Sequence, residues 1–228
     1  MTLLRSAEMT VRDLLGRRWV LVLLVLVPLI FYAARRSDGS WQGIRMACMG
    51  LAWALSTVSL FSTQSALGLE PRLRMAGLPS SALFFGRTFA LMACAVAGGG
   101  LYAVLISVDQ DAVHGWAVAA ALMVSAGLSV PLGMLVGRLV PREFEGMLVL
   151  ITIVGLQTIV DPAQTLAKVL PLWSTRSLLE YGIEGSGNLQ DAWLHALGYG
   201  TVLLFTGWAI TWVRLRRRRH IAILEPTG

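Results

Sequence analysis

The chain has 228 residues, of which 56% are hydrophobic and only 14% charged, against about 25% charge in average soluble domains, so the composition excludes a free globular protein. About six spans of roughly 20 residues each consume about half of such a chain, and what remains between them is too short for an aqueous catalytic domain, which needs at least about 50 residues. The net charge of +6 comes almost wholly from arginine, Lys168 being the sole lysine, and in so apolar a chain it records orientation in a bilayer rather than affinity for nucleic acid.

Residues 2–17 come first. Leu3, Leu4, Ala7, Val11, Leu14 and Leu15 recur at spacings of three and four and make one apolar face. Glu8 with Arg12, and Asp13 with Arg17, stand at the i,i+4 spacing that supports a helix. Such a helix is expected to lie along the inner membrane surface or to pack on the rest of the protein. The first span, 19–34, is short and flanked by Arg17-Arg18 and Arg35-Arg36, whose snorkelling side chains extend it. Acids before it and further spans after it favour a retained anchor over a cleaved export signal.

The second span, 44–69, is rich in Ser and Thr. Helical spacing puts Ser56, Ser59 and Thr63 on one face, with Gln64 beside them. The third, 82–108, contains Gly98-Gly99-Gly100, and the fourth, 115–139, contains Pro131 and the Gly133-x-x-x-Gly137 spacing that lets another helix approach closely. The fifth, 146–160, carries Thr152, Gln157 and Thr158, and the sixth is 193–213. These uncharged polar side chains either line a solute path or hydrogen-bond neighbouring helices. Cys48 and Cys94 fall within apolar runs and read as buried thiols.

Four connecting segments carry information. In 69–79, Glu70 and Pro71 suit a first helical turn, Gly77 a helix stop, and Pro79 blocks continuation. A helix over 70–77 would display Arg72 and Arg74 beside Leu73 and Met75, as a docking face for a soluble partner or as an ordinary solvated turn. The 138–145 turn offers Arg138, Arg142, Glu143 and Glu145, as a second docking point or a plain connection. The 163–190 segment stays apolar between spans and is broken at Pro171, which suits two short helices dipping into the outer membrane face or roofing the bundle. The tail, 214–228, opens with an arginine run expected to hold an anionic leaflet.

With both termini inside, 14 of the 19 basic residues face inward, and only Arg35, Arg36, Arg45, Lys168 and Arg176 face outward. The positive-inside rule selects that orientation. Catalytic signatures are missing from the sequence: it has no P-loop, no H-E-x-x-H, no paired cysteine motif and no G-x-S-x-G. No span carries an ionisable group near its centre, which weakens a proton-coupled carrier.

The arrangement resembles the permease subunit of type-2 ABC transporters over nearly the whole chain. The residues most similar to that family are Leu69-Glu70-Pro71-Arg72-Leu73-Arg74-Met75-Ala76-Gly77-Leu78-Pro79, continuing through Leu83-Phe84-Phe85-Gly86-Arg87, although Pro71-Arg72-Leu73 stands where the family has glycine-threonine. The resemblance implies an all-α polytopic membrane protein of the bacterial cytoplasmic membrane. It would have six spans, an N-terminal interfacial helix, a coupling helix over 70–77 and outer re-entrant helices. It further implies pairing with a second permease, identical or related, and separate ATPase subunits that bind ATP and Mg and dock on Glu70, Pro71, Arg72, Leu73, Arg74, Met75 and Gly77. The chain itself would hold no cofactor or metal and perform no catalysis. Ser56, Ser59, Thr63, Gln64, Thr152 and Gln157 are the expected path for an amphipathic drug, peptide, lipid or glycan. A heme exporter B-like permease of cytochrome c maturation and a non-transporting membrane scaffold are the alternatives.

Overall fold

The computed structural model describes residues 2–160 and 164–217. Residues 161–163, the last of them opening the segment expected over 163–190, and the tail beyond Arg217 lie outside the described residues, as does the side chain of Thr158. Among the described residues every element is helical: α1 (Thr2–Gly16), α2 (Arg18–Arg35), α3 (Ser40–Leu67), α4 (Glu70–Met75), α5 (Ser80–Asp109), α6 (Gly115–Leu139), α7 (Glu143–Ile159), α8 (Thr165–Val169), α9 (Trp173–Glu184) and α10 (Leu189–Arg217), with a single 3-10 turn at Arg36–Asp38.

Five of these helices, α2, α3, α5, α6 and α10, are long and apolar enough to cross a membrane, which gives the chain the character of a multi-pass membrane protein. They coincide with the first, second, third, fourth and sixth spans expected from the sequence. The fifth expected span is α7, of 17 residues, or about 26 Å at 1.5 Å per residue.

Burial sorts the bundle into centre and rim. Of the most apolar stretch of each helix, 67% of α6 and 61% of α3 is buried, against 17% of α2 and 22% of α10. α3 and α6 are therefore the central pair. α2 packs on α3, α5 on α6, and α1 on α5, while α9 bridges α6 and α10 and α7 leans chiefly on α3.

Small residues set the central approach. A Cβ on Gly133 would lie 2.0 Å from the Ser56 carbonyl oxygen, and one on Gly137 would lie 2.9 Å from that of Leu60. The α3 and α6 backbones thus touch, as small-x-x-x-small spacings allow. A similar contact joins α2 to α3, where a Cβ on Gly50 would meet Pro28 Cα at 2.7 Å. α1 rests on α5 the same way, with Ser6 filling the space above Gly86.

Polar ties lock the ends. At the end of the bundle away from α4, Asp109 accepts hydrogen bonds from Tyr32 and from Arg36, whose Nε lies at 2.7 Å, so α2 is fastened to the last turn of α5. At the same end the His114 amide donates to the Gly182 carbonyl at 2.8 Å, and the His195 Nε2–H donates to the Lys168 carbonyl at 2.9 Å. The α8–α9 segment is thereby joined to both α6 and α10. It also supplies buried apolar side chains, Leu172, Leu178 and Leu179.

Candidate functional site

Local sequence explains α4. Pro71 occupies the start of the helix, where the missing N–H costs nothing. At the other end the Leu78 amide donates to the Leu73 carbonyl and the Gly77 amide to that of Arg74, both at 3.1 Å. Gly77 takes φ +93°, a left-handed conformation that favours glycine, and together these bonds form a Schellman stop. The helix proper therefore ends at Met75, and Ala76–Gly77 form its cap.

Glu70 is the anchor of this helix. It is 3% exposed, and its Oε1 accepts from Arg87 Nη1 of α5 at 2.7 Å and from Arg138 Nη2 of α6 at 3.0 Å. Its Oε2 accepts from Arg138 Nη1 at 3.2 Å. Burial by itself pushes the Glu70 carboxyl up, but Arg138 first and Arg87 second, through charge and hydrogen bonding, bring it below the ordinary carboxylate range. The Arg138 guanidinium also sits 5.7 Å from the centre of the Phe84 ring, where the aromatic face attracts it. Two cations share one anion, so the cluster carries net positive charge, and the Arg138 Nε has no hydrogen-bond partner among the described residues.

The other residues of this region turn outward. Arg72, Arg74, Met75 and Gly77 are exposed, Met75 to 81%, while Pro71 and Leu73 are half-buried. Leu69, Leu139 and Phe144 expose further apolar surface on the segments flanking α4 and at the α6–α7 turn. Gln64 ties α3 to that turn, its Nε2 donating to the Val140 carbonyl at 2.9 Å. The outcome is a basic and apolar face backed by a buried ion cluster.

The polar residues expected along a path do not converge. Ser56, Ser59 and Thr63 are fully buried in the seam between α3 and α6. Ser56 Oγ donates to the Trp53 carbonyl at 3.1 Å and Thr63 Oγ1 to that of Ser59 at 2.8 Å. Thr152, on the exposed side of α7, donates to the Leu148 carbonyl at 2.8 Å. Gln157 stands apart from these, at the opposite end of the bundle from α4, where it lines two small cavities.

A larger cavity of about 250 Å³ opens between α1, α2, α3 and α7, floored by Leu14, Val20, Val58 and Phe61 and rimmed by Asp13, Arg17, Ser62 and Glu143. Its apolar floor and charged rim suit an amphipathic molecule better than a bare ion. Another of about 250 Å³, nearly all apolar, lies between α5, α6 and α10. Among the described residues no group of three or more His, Cys, Asp or Glu side chains is arranged to hold a metal ion.

Sequence reasoning named all three residues but did not bring them together. Arg87 and Arg138 lie 17 and 68 residues from Glu70, Arg87 closing the family-like stretch and Arg138 opening the 138–145 turn. The available signal was their place inside apolar helices, where a charge needs a partner. No protein-family model matches the chain, and no curated protein matches it.

Proposed function

We propose that the chain is the permease subunit of an ATP-driven exporter of the type-2 ABC kind. With a second permease it forms a path for an amphipathic substrate: a drug, peptide, lipid or glycan. Separate ATPase subunits bind ATP and Mg and supply the energy, and this chain converts their motion into movement of its spans.

The observation that carries this reading is the Glu70–Arg87–Arg138 cluster. A six-residue helix with an exposed basic and apolar face is a poor stabiliser of a bundle, yet it is ion-paired into two spans at once. A push on α4 is passed through Glu70 to α5 and α6 without a flexible linker. Removing one member of a buried ion cluster costs about 3–5 kcal/mol, a tie strong enough to carry such a push.

In this reading α7 is the fifth of six spans. At about 26 Å it is a few ångströms short of a roughly 30 Å hydrocarbon core, a mismatch that local thinning or snorkelling Arg142 accommodates. An even number of spans puts both termini on one side, and the arginine distribution makes that side the cytoplasm. α1 then lies at the inner surface of the bacterial inner membrane, α4 faces the cytoplasm, and α8–α9 roof the outer end. The 250 Å³ cavity beside α1 and α7 opens toward the inner leaflet.

The test is association with an ATPase. Purified with the product of a neighbouring reading frame that encodes a P-loop, the chain is expected to hold that ATPase stoichiometrically. The double substitution Arg72→Glu, Arg74→Glu changes only exposed side chains and should release the ATPase from a folded permease. A chain that purifies alone, or retains its ATPase after both changes, contradicts the proposal.

A further inference from the structure

Four helices meet around the cavity of about 250 Å³ beside α1. Leu14 comes from the last turn of α1 and Val20 from the first turn of α2, while Val58 and Phe61 stand three residues apart on one face of α3. These side chains make the apolar floor. At the rim Asp13 and Arg17 answer one another, with Arg17 Nη2 at 3.2 Å from the Asp13 carboxylate. Glu143, the first residue of α7, makes no ion pair among the described residues, and its neighbour Arg142 is engaged with Glu145 at 3.3 Å. The rim lining thus carries a net negative charge. The cavity of similar volume between α5, α6 and α10 has no charged residue in its lining, and a lipid chain suffices to fill it.

With water at the rim, Glu143 needs no partner: it is exposed, and the N-terminus of α7 favours an acid in its first turn. An occupant changes that. A body lying on the floor displaces water from the rim, and a carboxylate that loses hydration costs free energy unless an opposite charge replaces it. A neutral body leaves that cost standing. An anion adds repulsion and finds Arg17 already held by Asp13. A cation removes the cost, so charge decides among occupants that the floor alone accepts equally. Size narrows the class further. An apolar cavity of about 150 Å³ holds one benzene ring, so this larger one suits a body of roughly two fused rings.

Asp13 also connects this rim to the rest of the molecule. Its charge acts on Arg87, so the cavity borders the ion cluster that ties α4 to α5 and α6.

We propose that this cavity takes up an amphipathic organic cation from the inner leaflet, its small apolar body on Leu14, Val20, Val58 and Phe61 and its positive head beside Glu143. The cation is the substrate class of the exporter only if that reading holds, whereas its binding to the cavity is measured on the chain without an ATPase.

The full chain is reconstituted in nanodiscs of zwitterionic phosphatidylcholine, and equilibrium dialysis follows three probes of similar shape. N-ethylquinolinium is a permanent cation, ethylnaphthalene is neutral and ethylnaphthalene sulfonate is an anion; discs without protein give the partitioning into lipid that is subtracted. The cation is expected to bind saturably and most tightly of the three. Glu143→Gln should weaken it about fivefold, the upper end for an ion pair at a surface, and leave the neutral probe unchanged. Glu143→Lys should reverse the order, so that the anion binds better than the cation. Val20→Trp fills the floor and should remove the binding of all three. Equal binding of the three probes, or binding of none, overturns the proposal, since the cavity then holds lipid chains or selects nothing. A cation preference that survives Glu143→Lys puts the site elsewhere and overturns it as well. The two readings fail separately: a chain that binds the cation but holds no ATPase contradicts the exporter, and one that holds the ATPase but binds no cation contradicts only the substrate class.

Discussion

Glu70 is charged, buried and shared by two arginines, and each of these facts has a measurable consequence. Glu70→Gln keeps the shape but leaves Arg87 and Arg138 without their anion. The folded chain is expected to lose about 3–5 kcal/mol, read as a drop in Tm in nanodiscs. Acid should do the same to the native protein. Because the folded carboxyl sits below its ordinary value near 4.5, the unfolded chain binds the proton more readily, and stability falls as that proton is taken up. The contribution is complete above about pH 4.5 and is lost as pH falls through the lower folded value. The Tm gap between wild type and Glu70→Gln should therefore be constant near neutrality and close in acid. A gap that does not narrow at all as pH falls below about 4.5 would show that the charge is not what Glu70 contributes. The sequence offered the three members of this cluster separately and not their pairing. Arg87 and Arg138 follow the general rule that cations collect at one side of a bilayer, and only the fold shows that they turn inward.

Among the helices, the α3–α6 crossing decides how much substitution the centre tolerates. Gly133→Ala would drive a Cβ to 2.0 Å from the Ser56 carbonyl, so the two helices must part and the bundle loses its tightest contact. Gly127, on the same helix, has open space where a Cβ would go, and Gly127→Ala should be neutral or gain up to about 1 kcal/mol in helix propensity. Thermal unfolding of both variants gives the comparison; equal effects would mean that the crossing is not a backbone contact. This element was partly legible in advance. The Gly133–Gly137 spacing and the Ser56, Ser59, Thr63 face are both visible in the sequence, but not that each is the other's partner. Periodicity reports which face of a helix is special and says nothing about what it meets. The α4 stop was more readable, because a Schellman cap is local chemistry that Gly77 and Pro79 announce.

For the whole molecule, the number of crossings follows from hydropathy up to the one helix whose length is marginal. If α7 crosses, the N-terminus and the tail lie on the same side; with five crossings they lie on opposite sides. Single cysteines at Arg12 and at Pro226, in a chain with Cys48 and Cys94 replaced, can be probed in intact cells with an impermeant maleimide. Both are expected to be protected until the membrane is opened, and labelling of one alone would reduce the spans to five. The arginine asymmetry made the orientation legible as an expectation. The packing order, with α3 and α6 central and α2 and α10 at the rim, was not, since all of the spans are apolar around most of their circumference. The exposed rim helices and the basic face tied into the centre are the features on which the proposal of a larger assembly rests.

That central claim is tested most directly by substrate-stimulated ATP hydrolysis in the reconstituted permease–ATPase complex, with wild type compared against Glu70→Gln under conditions where both are folded. The account predicts stimulation by an amphipathic substrate in the wild type, and in the variant a complex that still assembles and hydrolyses ATP at its basal rate but no longer responds. Equal stimulation in both would show that α4 does not transmit the partner's motion through Glu70, and no association with any ATPase would contradict the account as a whole.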